Sequence, residues 1–156
     1  MAQPGVLRKR VPAVRVESRG AQATRPSERE GQLSTDVGAV TDFEERRFRV
    51  VKAGGHEIGV LRWNGRFFAV HNRCPHQKGP LCLGIVSGRL VASAPGAMEV
   101  DDEAPVVACP WHGWEFDLER GRALWEDGYA AKIVPVHVEG GRVLLDVGRR
   151  DRAAPI

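Results

Sequence analysis

The sequence predicts an all-β domain, and three of its features lead to this expectation. From Phe48 onward, short apolar segments, many of them rich in Val, alternate with turns that contain Gly. Several of these turns are of the short type that joins antiparallel neighbours. A helical repeat of apolar residues is not convincing anywhere in the chain. We therefore expect an antiparallel β sandwich or barrel into which a smaller, ligand-binding sheet is inserted.

The first predicted strands form an antiparallel meander. Two turn signals, Gly54-Gly55 and Asn64-Gly65, separate three apolar segments. The predicted strands are residues 48–52, 56–63 and 66–71. Since the last strand ends shortly before Cys74, we expect the loop that carries this residue to be held by a rigid sheet.

The remaining strands are predicted on either side of a second loop that contains a Cys. They comprise residues 84–92, 106–108, 114–117, 133–138 and 142–147. A turn at 119–122 follows the third of these segments, and Glu139-Gly140-Gly141 joins the last two into a hairpin. The second loop therefore also lies between strands.

By composition, the chain divides into one domain and two ends. Residues 1–30 carry seven Arg and Lys against three Glu, so this segment accounts for the net charge of +3 and the sequence pI of about 9.0. Too little apolar area is available there to offset the entropy of ordering, so we expect a disordered basic tail at 1–36. Residues 37–148 form the predicted domain, and 149–156 a flexible end.

Composition also argues against several classes of function. Outside its first residues the chain lacks the basic excess of a nucleic-acid-binding protein. No apolar run approaches the ~20 residues of a membrane span, and the start of the chain lacks the apolar core of a secretory signal. Three Cys residues do not make a disulfide framework. We expect a cytoplasmic protein that binds neither nucleic acid nor membranes.

Two short sequence boxes carry the chemistry. The first is Cys74-Pro75-His76, and the second is Cys109-Pro110-Trp111-His112-Gly113-Trp114. Each box offers one thiolate and one imidazole, so together they supply two sulfur and two nitrogen ligands. This set suits zinc or an iron–sulfur cluster with mixed ligation. The candidate metal and cofactor ligands are therefore Cys74, His76, Cys109 and His112, and we predict no catalytic residue.

The order of the ligands favours one of the two metals. Zinc sites usually group two Cys in one knuckle, whereas neither box here holds two Cys. Interleaved ligands allow two loops to hold a two-iron cluster from opposite sides, with both Cys on one iron and both His on the other. The arrangement resembles a Rieske [2Fe-2S] protein over residues 37–147, with the cluster-binding part at about 73–117. Zinc remains the alternative.

The resemblance implies a Rieske-like fold and a soluble one-electron carrier, similar to the ferredoxin components of ring-hydroxylating dioxygenase systems. Such a carrier takes electrons from a reductase and passes them to a terminal oxygenase, and both partners would dock where His76 and His112 are exposed. We expect no substrate site, since only His137 follows the second box. The alternatives are a non-catalytic subunit of a larger reductase, similar to the nitrite reductase small subunit, and a structural zinc module.

A comparison with the respiratory Rieske branch implies a low reduction potential. Proteins of that branch carry an additional Cys pair and two hydroxyl groups that bond to the cluster. By this resemblance, the corresponding positions are occupied here by Gly79, Trp111, Trp114 and Phe116. Since fewer hydrogen bonds stabilise the reduced cluster less, we expect a potential near the low end of the Rieske range, about −150 mV.

The spacing between the boxes is a second departure. Thirty-two residues separate His76 from Cys109, about twice as many as in compact Rieske ferredoxins, so we expect an insertion at 92–105. Four acidic residues lie in it: Glu99, Asp101, Asp102 and Glu103. The insertion is either a solvated hairpin or a flap that recognises a basic partner.

Several further residues are assigned to packing. Gly79 and Gly113 should let the two loops approach each other and the cluster without a Cβ clash. We expect Cys82 to be a small packed thiol. The other assignments are Trp63 and Trp125 in the core, Trp111, Trp114 and Phe116 as an apolar shield over the cluster, and His56, His71 and His137 as surface or core histidines.

Overall fold

The computed structural model describes residues 33–148, which form the antiparallel all-β fold that the sequence predicts. In this part of the chain, nine strands pair into three sheets, with the orders β1-β9-β8, β2-β3-β4 and β5-β6-β7. The strands are β1 (Leu33–Ala39), β2 (Phe48–Ala53), β3 (His56–Trp63), β4 (Arg66–His71), β5 (Ile85–Ala94), β6 (Ala97–Ala108), β7 (Glu115–Asp117), β8 (Val136–Glu139) and β9 (Arg142–Val147). Two 3-10 turns occupy Val40–Asp42 and Leu81–Leu83. Neither of these short helices could cross a membrane.

The sheet β2-β3-β4 lies between two apolar cores because its inner strand is apolar on both faces. In β3, Leu61 and Trp63 pack into the core that also contains the two candidate Cys ligands. Ile58 and Val60 pack into the other core, together with side chains of β9. Because successive side chains of a strand point to opposite faces, this alternation gives each core one face of the sheet.

The predicted meander agrees closely with these strands. The pairing of Trp63 with Arg66 closes the turn at Asn64-Gly65, and Ala53 pairs with His56 across Gly54-Gly55. Asn64 and Gly65 both have a positive φ, 49° and 74°, which is the conformation that a two-residue hairpin turn requires. Trp63 is 1% exposed, as expected for a core residue.

Strand β1 corrects the predicted boundary of the N-terminal tail. The sequence places the end of the tail at residue 36, but β1 begins at Leu33 and pairs antiparallel with β9. Arg142 donates hydrogen bonds to both carboxylate oxygens of Asp36, at 2.8 and 2.9 Å, and this lowers the pKa of Asp36 below its ordinary value. The rest of the predicted tail, 1–32, and the predicted flexible end, 149–156, lie outside the described residues.

The expected insertion at 92–105 comprises the end of β5, the turn and most of β6 in a long hairpin. Gly88 pairs with Pro105 and Arg89 pairs with Asp101, so three residues of β6 bulge out between these pairs. The bulge contacts the central sheet, because Trp63 Nε1 donates to the Asp102 carbonyl at 2.6 Å and Asn64 Nδ2 donates to it at 3.0 Å. The bulge therefore fixes the hairpin to the meander.

Two further predictions differ from the structure. Trp125 is 78% exposed, so its assignment to the core was wrong. Its indole is held at the surface by a hydrogen bond from Nε1 to Glu115 Oε2 at 2.8 Å. The strand predicted from residue 133 begins only at Val136, because Ile133 forms no more than an isolated bridge with Val70.

Candidate metal centre

The first candidate loop is closed by two backbone hydrogen bonds. The Cys74 amide donates to the Gly79 carbonyl at 2.8 Å, and the Lys78 amide donates to the Cys74 carbonyl at 2.9 Å. Lys78 has a φ of 65°, a left-handed conformation that few residues other than Gly adopt. The loop therefore has a fixed backbone, with the Cys at its start and the His two residues later.

The second candidate loop repeats this arrangement. The Cys109 amide donates to the Trp114 carbonyl at 2.8 Å, and the Gly113 amide donates to the Cys109 carbonyl at 2.9 Å. Gly113 has a φ of 71° and occupies the position that Lys78 has in the first loop. A Cβ on Gly113 would meet no atom within 4 Å, so this glycine serves the backbone conformation and not, as expected from the sequence, a close approach of the loops.

The close approach occurs instead at two other glycines. A Cβ on Gly84 would lie 1.9 Å from the Ala108 carbonyl oxygen, which brings the end of the first loop against the strand that leads into the second. A Cβ on Gly79 would lie 2.9 Å from the indole of Trp111, so the expectation for Gly79 is confirmed. The two loops are therefore in contact at their base and across Trp111.

The two Cys side chains meet in the apolar core. Cys74 is 2% exposed and Cys109 is 3% exposed. Burial raises the pKa of the Cys74 thiol above its ordinary value and the neighbouring Cys109 raises it further, whereas the backbone amides of His76 and Gln77 lower it. Two buried thiols with amides directed at one of them suit a bound cation, whose charge would stabilise the thiolates.

The two imidazoles lie side by side nearer the surface. The ring centroids of His76 and His112 are 5.0 Å apart at an interplanar angle of 84°. His76 is half-buried and His112 is exposed. His76 Nδ1 is buried and has no hydrogen-bond partner among the residues that the structure describes. Since buried polar atoms are nearly always paired, this nitrogen fits a metal ligand that the protein alone does not satisfy.

Aromatic side chains fix the orientation of His76. Trp114 stacks on its ring with centroids 4.8 Å apart and an interplanar angle of 23°. Tyr129 contacts both rings edge-on, at 6.0 Å from His76 and 4.8 Å from Trp114. Tyr129 was not predicted from the sequence, because it lies outside both boxes and its only signal is an isolated aromatic residue between Gly128 and a pair of alanines.

The predicted apolar shield is only partly closed. Phe116 is fully buried and Trp114 is half-buried, but Trp111 is 57% exposed beside the ring of His112, with centroids 6.4 Å apart. The indole of Trp111 therefore lies at the surface next to the exposed imidazole. The aromatic residues separate the buried Cys pair from solvent and leave the His pair at the edge.

The other His and Cys residues lie apart from these loops. His56 of β3 and His71 of β4 contact each other, with ring centroids 4.8 Å apart. His137 Nδ1 lies 3.7 Å from Asp146 Oδ2. Cys82 is 6% exposed in the same core as Cys74 and Cys109, which confirms that it is a packed thiol. Within residues 33–148, no three His, Cys, Asp or Glu side chains converge as on a single metal ion. A site at which no more than two such side chains converge is compatible with a two-iron cluster, because each iron of that cluster takes two protein ligands.

Comparison with known proteins identifies the family. Residues 34–135 match the Rieske [2Fe-2S] domain, and the chain belongs to this family. It is 33% identical over 110 residues to the ferredoxin component of the alkene monooxygenase system of Xanthobacter autotrophicus, covering 70% of this chain and 78% of that protein. It is also 32% identical over 90 residues to apoptosis-inducing factor 3 of Mus musculus, covering 57% of this chain but only 12% of that longer protein.

Solved structures share the fold. A protein from Mycobacterium tuberculosis described as an NADH-dependent nitrite reductase small subunit has a TM-score of 0.61 at 22% identity, covering 73% of this chain and 94% of that one. The ferredoxin in a complex of reduced oxygenase and oxidised ferredoxin of carbazole 1,9a-dioxygenase has a TM-score of 0.56 at 23% identity, covering 74% and 94%.

These findings confirm the predicted family, fold and cofactor. The cofactor is a [2Fe-2S] cluster, which decides between the two metals that the sequence left open. The implied resemblance to ferredoxin components is also confirmed, because the relative that matches 70% of this chain is the ferredoxin component of a monooxygenase system.

Proposed function

We propose that the cluster is held by Cys74 and Cys109 on one iron and by His76 and His112 on the other. The observation that carries this proposal is the buried Nδ1 of His76, which lacks a hydrogen-bond partner in the described part of the chain. The two loops support it, because their equivalent backbone hydrogen bonds present one Cys and one His each. Mixed ligation of this kind is the defining property of a Rieske centre.

Each group of residues has its own part in electron transfer. When bound, the cluster accepts and donates one electron at a time. The buried Cys pair holds the inner side away from water, and the packing of Trp114 and Tyr129 keeps His76 in one orientation. The exposed imidazole of His112 supplies the edge through which electrons leave. A rigid frame limits the structural reorganisation that accompanies each change of charge.

We further propose that this protein passes electrons from a reductase to a terminal oxygenase, and that both partners dock at the face formed by His76 and His112. The similarity to a ferredoxin component of a monooxygenase system and to a ferredoxin in complex with an oxygenase supports this role. Trp111, which is 57% exposed beside His112, offers an apolar contact at that face. Such contacts bury little area, below ~1,200 Å², and are transient.

A second candidate function is that of a Rieske subunit fixed within a larger reductase. The similarity in fold to the nitrite reductase small subunit from Mycobacterium tuberculosis favours it. Purification of the native protein under mild conditions distinguishes the two roles. A carrier is expected to be recovered free of its partners, whereas a fixed subunit is expected in constant ratio with a larger chain.

Electron paramagnetic resonance of the reduced protein tests the ligand assignment. We expect the low average g value of a Rieske centre in the wild type and its loss in His112→Ala. The matched control is His137→Ala, which removes an imidazole of β8 that belongs to neither loop and should leave the signal intact. An unchanged signal in His112→Ala would remove this residue from the ligand set, and a protein that holds zinc and gives no signal would exclude the carrier role.

A further inference from the structure

An exposed apolar groove lies along the hairpin of β5 and β6. Its volume is about 210 Å³, and its apolar lining includes Leu90, Met98, Leu124 and Trp125. Leu90, Met98 and Trp125 are 61%, 63% and 78% exposed. Large apolar side chains gathered in one concave surface, which we call the apolar groove, are typical of a contact site for another molecule.

The exposed side chain of Trp125 is held in place. Its Nε1 donates to Glu115 Oε2 at 2.8 Å, and the preceding residue, Leu124, donates its backbone amide to the Glu115 carbonyl at 3.0 Å. An aromatic side chain that is fixed before binding loses little conformational entropy on contact with a partner. Trp125 is therefore suited to anchor a bound chain.

A basic cavity adjoins the apolar groove. It has a volume of about 380 Å³, and its lining includes Arg89, Arg120 and Arg122. None of these three has an ion-pair partner within residues 33–148. We call this surface the arginine cavity.

The carboxylates that line the arginine cavity are already engaged. Glu119 pairs with Arg66 at 2.8 Å, and the side chain of Asp117 accepts a hydrogen bond from the Arg120 amide at 2.6 Å. The lining therefore carries three guanidinium groups against two carboxylates, one of which is paired with Arg66, and positive charge is in excess. Concave surfaces lined by one sign of charge attract groups of the opposite sign.

The two surfaces are continuous with the candidate metal centre. Arg89 and Leu124 line both the arginine cavity and the apolar groove. Trp125 lines the apolar groove and also a depression formed with His112 and Trp114. One surface therefore extends from a proposed iron ligand, over an apolar anchor, to a group of unpaired arginines.

Charge complementarity selects the occupant. The segments of this chain outside the described residues are basic, with seven Arg and Lys against three Glu in 1–30 and three Arg against one Asp in 149–156. A second copy docked symmetrically would bring the same arginines together. Neither complements the arginine cavity, which is better suited to a different chain that carries carboxylates.

We propose that the apolar groove and the arginine cavity together bind a segment of a redox partner in which an apolar side chain stands next to clustered carboxylates. The proposal rests on the electron-carrier function and adds the chemistry of the partner to it. Of the insertion at 92–105, Met98 lines the apolar groove, so the proposal gives this hairpin a partner of acidic instead of basic charge. Asp102, one of its acidic residues, pairs with Arg46 of the same chain, and the hairpin contributes apolar and basic side chains to the surface.

Binding of labelled peptides to the cluster-loaded protein tests the proposal. The probe is a fluorescein-labelled peptide of leucines and glutamates, and the comparison peptides replace either the leucines by serine or the glutamates by lysine. Fluorescence anisotropy should show that the leucine–glutamate peptide binds at least about tenfold more tightly than either of the others. Raising the salt concentration should weaken this binding, because ion pairs at a surface are screened.

Matched variants locate the binding site. We expect Arg122→Glu and Trp125→Ser each to weaken the peptide about tenfold or more. Arg47→Glu makes the same change of net charge elsewhere, Val138→Ser removes another exposed apolar side chain, and both should bind as the wild type does. Equal affinity for all three peptides, or equal effects of Arg122→Glu and Arg47→Glu, would overturn the proposal. The visible spectrum of the cluster is recorded in parallel, so failure of the electron-carrier function is recognised separately.

Discussion

At the scale of single residues, the packing of Cys82 is unusually tight. A Cβ on Gly59 would lie 2.2 Å from its sulfur, so the thiol fits only because the facing residue of β3 has no side chain. The backbone amide of Cys82 donates a hydrogen bond to Asn72 Oδ1 at 2.8 Å. Burial raises the pKa of Cys82 to about 12, although a hydrogen bond from the backbone amide of Gly59 lowers it. Cys82 is therefore a neutral thiol in the folded protein.

This shift predicts a loss of stability at alkaline pH. The folded pKa is about 12 and the thiol of an unfolded chain titrates near ~8.5, so the unfolded chain loses its proton first as the pH rises. The stability that the buried neutral thiol contributes is fully present below pH ~8.5 and is lost progressively toward pH 12. Between pH 8 and 10, wild type should lose about 2 kcal/mol more free energy of unfolding than Cys82→Ala. Urea titrations of both proteins measure the difference, and parallel losses would contradict it.

At the scale of structural elements, the two loops share one backbone frame but fill one position differently. Gly113 adopts its φ of 71° without cost, whereas Lys78 at the equivalent place has a φ of 65° and carries a Cβ. For residues other than Gly this conformation costs ~1–2 kcal/mol. The first loop therefore retains strain that the second avoids.

Replacing Lys78 by Gly should relieve this strain. We expect Lys78→Gly to raise the free energy of unfolding by up to about 1 kcal/mol, because part of the gain is offset by the greater freedom of Gly in the unfolded chain. Lys52→Gly is the control, since Lys52 lies in β2 and the same replacement there should destabilise. Chemical denaturation of the cluster-loaded proteins compares them. A destabilised Lys78→Gly protein would show that the lysine side chain has another role.

At the scale of the whole molecule, a few polar contacts join the long hairpin to the central sheet. The carbonyl of Asp102 accepts hydrogen bonds from Trp63 and Asn64, and Arg46 pairs with the carboxylate of Asp102 while its guanidinium lies 4.4 Å from the Trp63 ring centroid. Trp63 thus links the core of the site to the bulge in β6.

Trp63→Phe tests this link. The variant keeps an aromatic ring but removes the Nε1 donor and some buried surface, so we expect a loss of about 1–3 kcal/mol in the free energy of unfolding. Hydrogen exchange of the bulge amides should accelerate at the same time. Trp125→Phe, at a residue that is 78% exposed, should change stability by less than about 0.5 kcal/mol. Similar losses in the two variants would argue against the link.

The reduction potential is also a property of the assembled molecule. No residue of the two boxes supplies a hydroxyl donor, so we predict a midpoint near the low end of the Rieske range, about −150 mV. The ring of Tyr129 lies edge-on to His76 with centroids 6.0 Å apart, so the hydroxyl of this residue is the candidate donor to test. Redox titration of wild type and Tyr129→Phe measures both effects. A midpoint well above zero in the wild type would refute the prediction, and a drop in the variant would identify Tyr129 as a donor.

Local patterns predicted most strands within a residue or two. The turns at Gly54-Gly55 and Asn64-Gly65 fix the register of neighbouring segments, so β3 and β4 have the bounds that the sequence indicated. β1 was missed because its strand has few apolar residues and its partner β9 lies more than a hundred residues away along the chain, with Ser34 opposite Asp146. Pairing over such a distance leaves no local signal.

The surroundings of the site were predicted less well than its ligands. Trp125 was assigned to the core because it is a large apolar residue, but whether a residue of an irregular loop is buried depends on what the fold places over it. Tyr129 reaches His76 for the same reason: the backbone bonds that join Ala123 to Tyr129 and Ala131 to Gly121 return the chain toward the loops.

The sequence by itself determined the all-β class, the two boxes, their ligand types and the family, because these depend on turn chemistry and on the spacing of a few residues. Only the tertiary structure decided that the Cys pair is buried, that His112 is exposed beside Trp111, and that the hairpin joins Trp125 and three arginines into one surface. Burial, exposure and surface charge arise from contacts between distant segments, and such contacts exist only when the sheets are packed together.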